Sequence, residues 1–303
     1  MSVPAPPFVP HGEGWSAWPA PAKLNLFLRI TGRRADGYHL LQTVFQLLDR
    51  GDTVHLRPRT DGMIHRCRDL PGIAPEADLA LRAAHALREA SGCVLGADIA
   101  VEKRIPAGGG LGGGSSDAAT VLVALDALWG TRLGEEALAA LALGLGADVP
   151  VFVRGRSAWA EGVGERLTPL ELPPRWYVVV DPGIPVPTAG LFADPQLTRD
   201  AARLTIPLFA SALAGGNAFE PVVRRRFPPV ARALDWLLRF GEARLSGSGG
   251  CLFVATDSKE AGLSIVRECP PSLHAFVARG VADSPLRHRL ATWQDAAGAA
   301  TST

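Results

Sequence analysis

The chain has 303 residues, a formal net charge of +1, and 47% hydrophobic against 20% charged residues. That length allows two moderate domains or one large one, and that composition excludes a disordered or fibrous chain. The balanced charge argues against DNA or RNA as a partner, which usually needs a basic face, and no apolar run reaches the ~18 residues of a membrane span.

In chain order, Met1 to Pro21 lacks a basic region followed by an apolar core, so it is not a secretory signal. Its prolines read as a disordered lead-in over residues 1–21. Ala22 to Ile30 alternates as a strand, with Leu24, Leu26, Leu28 and Ile30 on one face and Lys23, Asn25, Phe27 and Arg29 on the other. Lys23 and Asn25 therefore point the same way. A turn at Gly32 to Gly37 follows, and Tyr38 to Phe45 and Asp52 to Arg57 read as further strands. Ala77 to Ser91 has helical spacing and stops at Gly92. Asp98 to Ile105 alternates, with Lys103 on the apolar parity, where a lysine is uncommon.

Next comes Ile105-Pro106-Ala107-Gly108-Gly109-Gly110-Leu111-Gly112-Gly113-Gly114-Ser115-Ser116-Asp117, with six glycines in its first ten residues. Glycine lets the backbone take positive φ and approach a ligand closely. Successive N–H groups in such a loop form an anion-binding concavity. Ala118, Val121, Leu122, Leu125, Leu128 and Trp129 recur at helical steps after Asp117, and Gly130 is placed as a stop. Loop plus helix N-terminus is a physical answer to binding phosphate. Ser115, Ser116 and Asp117 are N-cap types; alternatively the two serine hydroxyls bind phosphate or magnesium. The motif is neither a P-loop, since no lysine closes the glycine run, nor a Rossmann fingerprint, since Pro106 interrupts the approach and the spacing is wrong.

A second helix is expected over Gly134 to Leu145, and Gly146 to Val153 begins a strand-like run in which Asp148 reads, by itself, as a turn residue or cap. Trp176 to Asp181 is an apolar strand. Arg224-Arg225-Arg226 reads as a solvated helix face. Ala243 to Phe253 places a second glycine loop between two strands. Ser258 to Glu268 reads as a helix, Ser272 to Val277 as a strand, and the polar, alanine-rich stretch beyond Pro285 as a frayed tail. Four scattered cysteines, Cys67, Cys93, Cys251 and Cys269, include no C-x-x-C pair, so neither a zinc site nor a disulfide framework is expected. Reduced thiols in a cytoplasmic protein account for them.

The glycine stretch resembles the Pro-x-x-x-Gly-Leu-x-Ser-Ser phosphate loop of the GHMP small-molecule kinases. Its glycine-rich form, together with Ala22-Lys23-Leu24-Asn25-Leu26, Asp36-Gly37-Tyr38-His39, Gly146-Ala147-Asp148-Val149-Pro150 and Pro187-Thr188-Ala189, is similar to one branch, the 4-diphosphocytidyl-2-C-methyl-D-erythritol kinases. The likeness runs from about Ala22 to about Val281. It implies an α+β, two-domain GHMP kinase fold: an N-terminal ribosomal-S5-like domain over 22–160, a C-terminal ferredoxin-like domain over 161–285, a cleft between them and a tail over 286–303. It implies ATP as phosphoryl donor, with Mg2+ expected, and transfer to the 2-hydroxyl of the diphosphocytidyl-methylerythritol acceptor. The partner is a small molecule, with no nucleic acid or membrane, and the chain is read as a monomer or weak homodimer.

On the same resemblance Lys23 and Asp148 are the catalytic pair. Lys103, Pro106, Ala107, Gly108, Gly109, Gly110, Leu111, Gly112, Gly113, Gly114, Ser115 and Ser116 bind ATP. Asn25 helps shape the acceptor site, Tyr38 stacks on the cytosine, His39 bonds its edge, and Thr188 and Phe192 line the pocket, with Phe192 facing Tyr38 across the base. Asp78 stands where an asparagine is expected near adenine, and Asn217 is structural. The residues alone leave Lys23 as a surface lysine, His39 as a satisfied histidine and Phe192 as core. Two alternatives stay open: another GHMP kinase acting on homoserine or a mevalonate derivative, and a non-catalytic sugar or nucleotide sensor on this fold.

Overall fold

A computed structural model describes residues 8–206 and 216–301. Its spine is the antiparallel pair β1 (Ser16–Arg33) and β2 (His39–Arg59). The long β2 takes on other strands along its length. β4 (Gly96–Glu102) pairs at Thr53–Arg59, β5 (Ala158–Glu161) at Thr43–Phe45, and β10 (His274–Val281) at Leu47–Leu48. β3 (Ile64–Arg66) lies parallel to β4, and β6 (Arg166–Pro169) antiparallel to β5. Through β10 the sheet continues into the second half in the order β10, β7 (Trp176–Asp181), β9 (Leu252–Thr256), β8 (Arg244–Leu245). Strands and helices mix in both halves, as the α+β expectation requires.

The first half adds helices α1 (Leu79–Ser91), α2 (Gly113–Trp129), α3 (Glu135–Leu145) and α4 (Val149–Arg154). The second adds α5 (Thr188–Phe192), α6 (Glu220–Arg226), α7 (Pro228–Leu237) and α8 (Lys259–Arg267), and α9 (Pro285–Thr301) returns to the first. No helix among the described residues is long and apolar enough to cross a membrane. One core lies in each half, and a third, containing Leu24, Leu26, Phe27, Trp159, Val179 and Phe253, joins them.

Several expectations are corrected. Residues 1–7 of the lead-in lie outside the described residues, but the rest is not disordered: β1 begins at Ser16, with Trp18 and Ala20 fully buried. Its prolines are tolerated because Pro19 and Pro21 sit on a strand paired along one side, next to a bulge. The alternation also fails to carry Leu24 through Ile30 on one face. A register shift between Asn25 and Leu28 sends Leu28 and Ile30 to the second-half core, while Leu24 and Leu26 stay in the central one. The two strands expected over Tyr38–Arg57 are one, because the turn-like Gly51 pairs with Pro21 and continues the ladder.

The helix after the glycine run begins at Gly113, not after Asp117, with Gly112 as its N-cap, so the three polar cap candidates lie inside it. Val149 to Val153 is helical rather than strand-like. Pro150 fits a first turn, and a short apolar run does not distinguish a buried helix from a strand. The tail is the helix α9, capped by Ser284, whose Oγ accepts from the Arg287 N–H at 3.2 Å. Its Leu286 is buried, and its Trp293 ring lies 6.4 Å from that of Trp18. The arginine run on α6 is paired rather than merely solvated: Arg225 and Arg226 approach Asp194 at 2.7 and 3.6 Å, and Arg224 meets Asp235.

Candidate active site

The glycine loop and the first turn of α2 form the floor of the site. Gly112 has φ +74°, and a Cβ there would come within 2.7 Å of the Phe152 ring, so only glycine fits. The helix starts directly after it, and the N–H groups of its first turn lack intrahelical partners. The expected nucleotide-loop residues from Pro106 to Ser116 are thus contiguous at one helix N-terminus. The second glycine loop interlocks with this one: a Cβ on Gly110 would meet the Ser246 carbonyl oxygen at 2.0 Å. Ser246 Oγ donates to the Gly110 carbonyl at 3.1 Å, and the Cys251 N–H to that of Gly109 at 3.0 Å. Ser246 was not legible as a site residue; only its place beside Gly247 hinted at it.

On one side of this N-terminus stands Lys23, brought by β1 and buried. Its Nζ donates to the Gly110 carbonyl at 2.9 Å and lies 3.3 Å from Asp148 Oδ2. Asp148 holds the N-cap position of α4, yet its side chain makes no capping hydrogen bond. The carboxylate is left free to face Lys23, and its side chain is 37% exposed. Asn25 sits deeper. Its Oδ1 accepts from Lys23, its Nδ2 donates to Thr43 Oγ1 at 2.9 Å, and its backbone N–H donates to Ser246 Oγ. Its amide holds Lys23 in place rather than lining open space.

On the other side stands Lys103, just beyond the end of β4. Its ammonium bonds Asp52 and lies 2.7 Å from Asp117 Oδ2. Asp52 Oδ1 also accepts from the Ile105 N–H at 2.8 Å and from that of Arg104, gripping the start of the loop. Burial pushes the Asp117 carboxyl up to about 7; the Lys103 charge opposes that shift and the Asp52 charge adds to it. Burial alone would lower Lys103, but Asp117 and Asp52 outweigh it and its ammonium is held above the usual range. Neither aspartate was singled out by sequence as binding. A carboxylate inside an apolar helix and another at a strand residue after glycine were the only signals. Asp78 caps α1, accepting from the Ala80 N–H at 2.9 Å, and faces Arg66.

The remaining candidates gather between β2 and the α5 segment. His39 and Phe192 stack with ring centroids 4.6 Å apart and planes 24° from parallel. Phe192 therefore faces His39, while Tyr38, 65% exposed, is free to meet a ligand. Thr188 Oγ1 lies 2.7 Å from Ser248 Oγ of the second glycine loop. Asn217 is structural, donating to the Leu245 and Gly247 carbonyls and accepting from the Phe219 N–H.

Residues 78–156 match the GHMP kinases N terminal domain and residues 196–272 the GHMP kinases C terminal domain. The chain is 61% identical over 276 residues to the 4-diphosphocytidyl-2-C-methyl-D-erythritol kinase of Xanthomonas oryzae pv. oryzae, covering 91% of this chain and 94% of that one. It is 59% identical to the enzyme of the same name from Halorhodospira halophila, covering 91% and 97%. The chain belongs to this branch of the GHMP kinases. Among solved structures, a 4-(cytidine 5'-diphospho)-2C-methyl-D-erythritol kinase superposes with a TM-score of 0.77 at 38% identity, over 88% of this chain and all of that one. A homoserine kinase from Cytophaga hutchinsonii, at 16% identity and a TM-score of 0.67 over 92% and 98%, shares the fold. As a family member the chain is an ATP-dependent small-molecule kinase.

Proposed function

We propose that this chain transfers the γ-phosphate of ATP to the 2-hydroxyl of 4-diphosphocytidyl-2-C-methyl-D-erythritol, a step of the non-mevalonate isoprenoid route. The observation that carries this is the single Lys23 ammonium reaching both the phosphate-loop carbonyl of Gly110 at 2.9 Å and the Asp148 carboxylate at 3.3 Å. A hydroxyl held by Asp148 then faces a phosphate cradled by the loop. Asp148 accepts the hydroxyl proton as the oxygen attacks, and Lys23 orients the carboxylate and meets charge on the transferring group. Phosphoryl transfer has a loose transition state, so positioning and charge stabilisation matter more than base strength. Gly108 to Ser115 offer backbone N–H groups to the phosphates, the Ser116 N–H being bonded to the Gly112 carbonyl.

Mg2+ suits the oxygen donors present. Ser116 Oγ is buried at the start of α2 with no hydrogen-bond partner, and no group of three His, Cys, Asp or Glu forms a cage among the described residues. Mg2+ usually keeps several waters and is held by few protein groups together with substrate phosphates rather than by an all-protein cage, and Ser116 Oγ would supply one such oxygen. When bound, the ion neutralises phosphate charge. Tyr38, His39, Phe192 and Thr188 form the cytidine pocket, with Tyr38 stacking on the base. The cysteines, unpaired throughout, fit a cytoplasmic setting.

The test is ADP release measured with three acceptors: 4-diphosphocytidyl-2-C-methyl-D-erythritol, homoserine and mevalonate. Turnover is expected with the first alone. Comparable turnover with either of the others, or ATP binding with no phosphorylated product from any, overturns the reading.

A further inference from the structure

One guanidinium joins the two halves at the base pocket. Arg199 Nη2 donates to the Phe192 and Asp194 carbonyls, both at 2.8 Å, and Nη1 donates to that of Leu197 at 3.0 Å. These bonds satisfy a carbonyl at the C-terminal end of α5, which a helix leaves unpaired, and fix the guanidinium plane. The remaining contact crosses to β2: Nε donates to His39 Nε2 at 3.3 Å. No carboxylate pairs with Arg199 among the described residues, so its charge is spent on this frame.

We propose that Arg199 is a positioning residue of the base pocket, fixing His39 as the Nδ1–H tautomer and tying the His39 and Phe192 rings into one wall. The inference rests on the cytidine-pocket reading above. An arginine has donors and no acceptor, so the imidazole nitrogen it meets must offer a lone pair, and the ring proton resides on Nδ1. Nδ1 has no hydrogen-bond partner among the described residues, which leaves its N–H to donate to a carbonyl of a pyrimidine. A spacing of 4.6 Å admits no third ring between His39 and Phe192, so a base lies on the wall and not inside it. Phe219, 4.9 Å from Phe192 and edge-on, braces the wall from behind. Burial first, then the charges of Arg199 and Arg33, hold the His39 imidazole below its ordinary range, consistent with a neutral ring. A lysine at this position would keep the charge and lose the planar fork.

The test uses the full chain carrying Arg199→Lys, Arg199→Gln or His39→Gln, with kinetics in both substrates and long-range proton–nitrogen NMR of the His39 ring. Each Arg199 variant is expected to raise the KM for the cytidine acceptor at least about tenfold. ATP KM and kcat stay within about twofold. The unaltered ring shows its proton on Nδ1, and the Arg199 variants show both tautomers. Arg199→Gln added to His39→Gln costs little more than His39→Gln alone, since both act through one ring. If His39→Gln raises acceptor KM and Arg199→Gln does not, the positioning role is overturned and the pocket survives. If His39→Gln changes nothing, the pocket itself is wrong and the role falls with it. An unaltered ring protonated on Nε2, or Arg199 variants that lose both KM values, kcat and melting temperature together, also overturns the role.

Discussion

The two flanks of the α2 N-terminus are built from the same chemistry and come out differently. Each sets a lysine, buried at Lys23 and half-buried at Lys103, against aspartate, and each lysine fills room left by a glycine: Lys23 lies beside Gly112, Lys103 beside Gly113. On the Lys23 flank the carboxylate of Asp148 is more than a third exposed and spends nothing on capping its helix. On the Lys103 flank Asp52 is shut away, with one oxygen on two backbone N–H groups and the other on the ammonium. The most perturbed acid of the two flanks, Asp117, lies on the closed side. Strong perturbation marks burial as readily as reactivity. What distinguishes the group suited to catalysis is an accessible oxygen with unspent lone pairs.

This contrast is open to attack at several strengths. Asp148→Asn and Lys23→Ala are each expected to lower kcat by roughly 10²–10⁴-fold, with the melting temperature held in Asp148→Asn and the fold kept in both. Steady-state assays beside thermal melts check this, and near-normal turnover in both variants would break the contrast. On the closed flank Asp52→Ala leaves the Lys103 ammonium to Asp117 alone and takes the acceptor from the Arg104 and Ile105 N–H groups, and is expected to cost about 1–3 kcal/mol for each stranded donor in denaturant unfolding. Asp52→Asn should cost less, since its amide oxygen can still accept from the loop N–H groups.

The adjacent glycines sharpen the comparison. Gly112→Ala combines a positive φ with the Phe152 clash, and about 2–3 kcal/mol of stability is expected to be lost along with most activity. Gly113→Ala brings a Cβ to 3.1 Å from Lys103 Nζ and Ile105 Cγ2, and about 1 kcal/mol is expected. Equal losses at the two positions would mean that the flanks are not distinct.

The closed flank also carries a pH slope. Asp117 titrates near 7 in the folded chain against 3.8 unfolded, so the folded state holds a proton that the unfolded one releases. Its contribution is full below 3.8 and is lost as pH rises through about 7. Melting temperatures of ligand-free protein in EDTA should fall over that interval, and Asp117→Asn should flatten the fall. An unchanged slope in the variant would place the proton elsewhere.

Much of the site could be read locally, because Lys23 with Asn25 and the glycine run are contiguous patterns whose neighbours in sequence are neighbours in space. Asp148 could be named only by resemblance, since a lone carboxylate before an apolar run reads as a cap, and its freedom from capping is visible only in three dimensions. Asp52, Ser246 and Arg199 act across separations that no local periodicity encodes: Arg199 meets a ring 160 positions away. The fold shows the same division. Trp176 to Asp181 and the helix after Ser258 were legible from apolar spacing and a cap. The start of β1 was hidden by prolines, and the register shift after Asn25 is set by the partner strand rather than by β1's own alternation.

The seam between the Trp18 end of β1 and α9 has a consequence for how the chain is made. Arg289 Nε donates to the Ala17 carbonyl at 3.1 Å, and its guanidinium lies over the Trp18 ring. β10 wedges between β2 and β7 just before it. During synthesis, therefore, the amino-terminal half leaves the ribosome with a tryptophan-lined gap that nothing yet made can cover. It stays unsealed until α9 itself has been made.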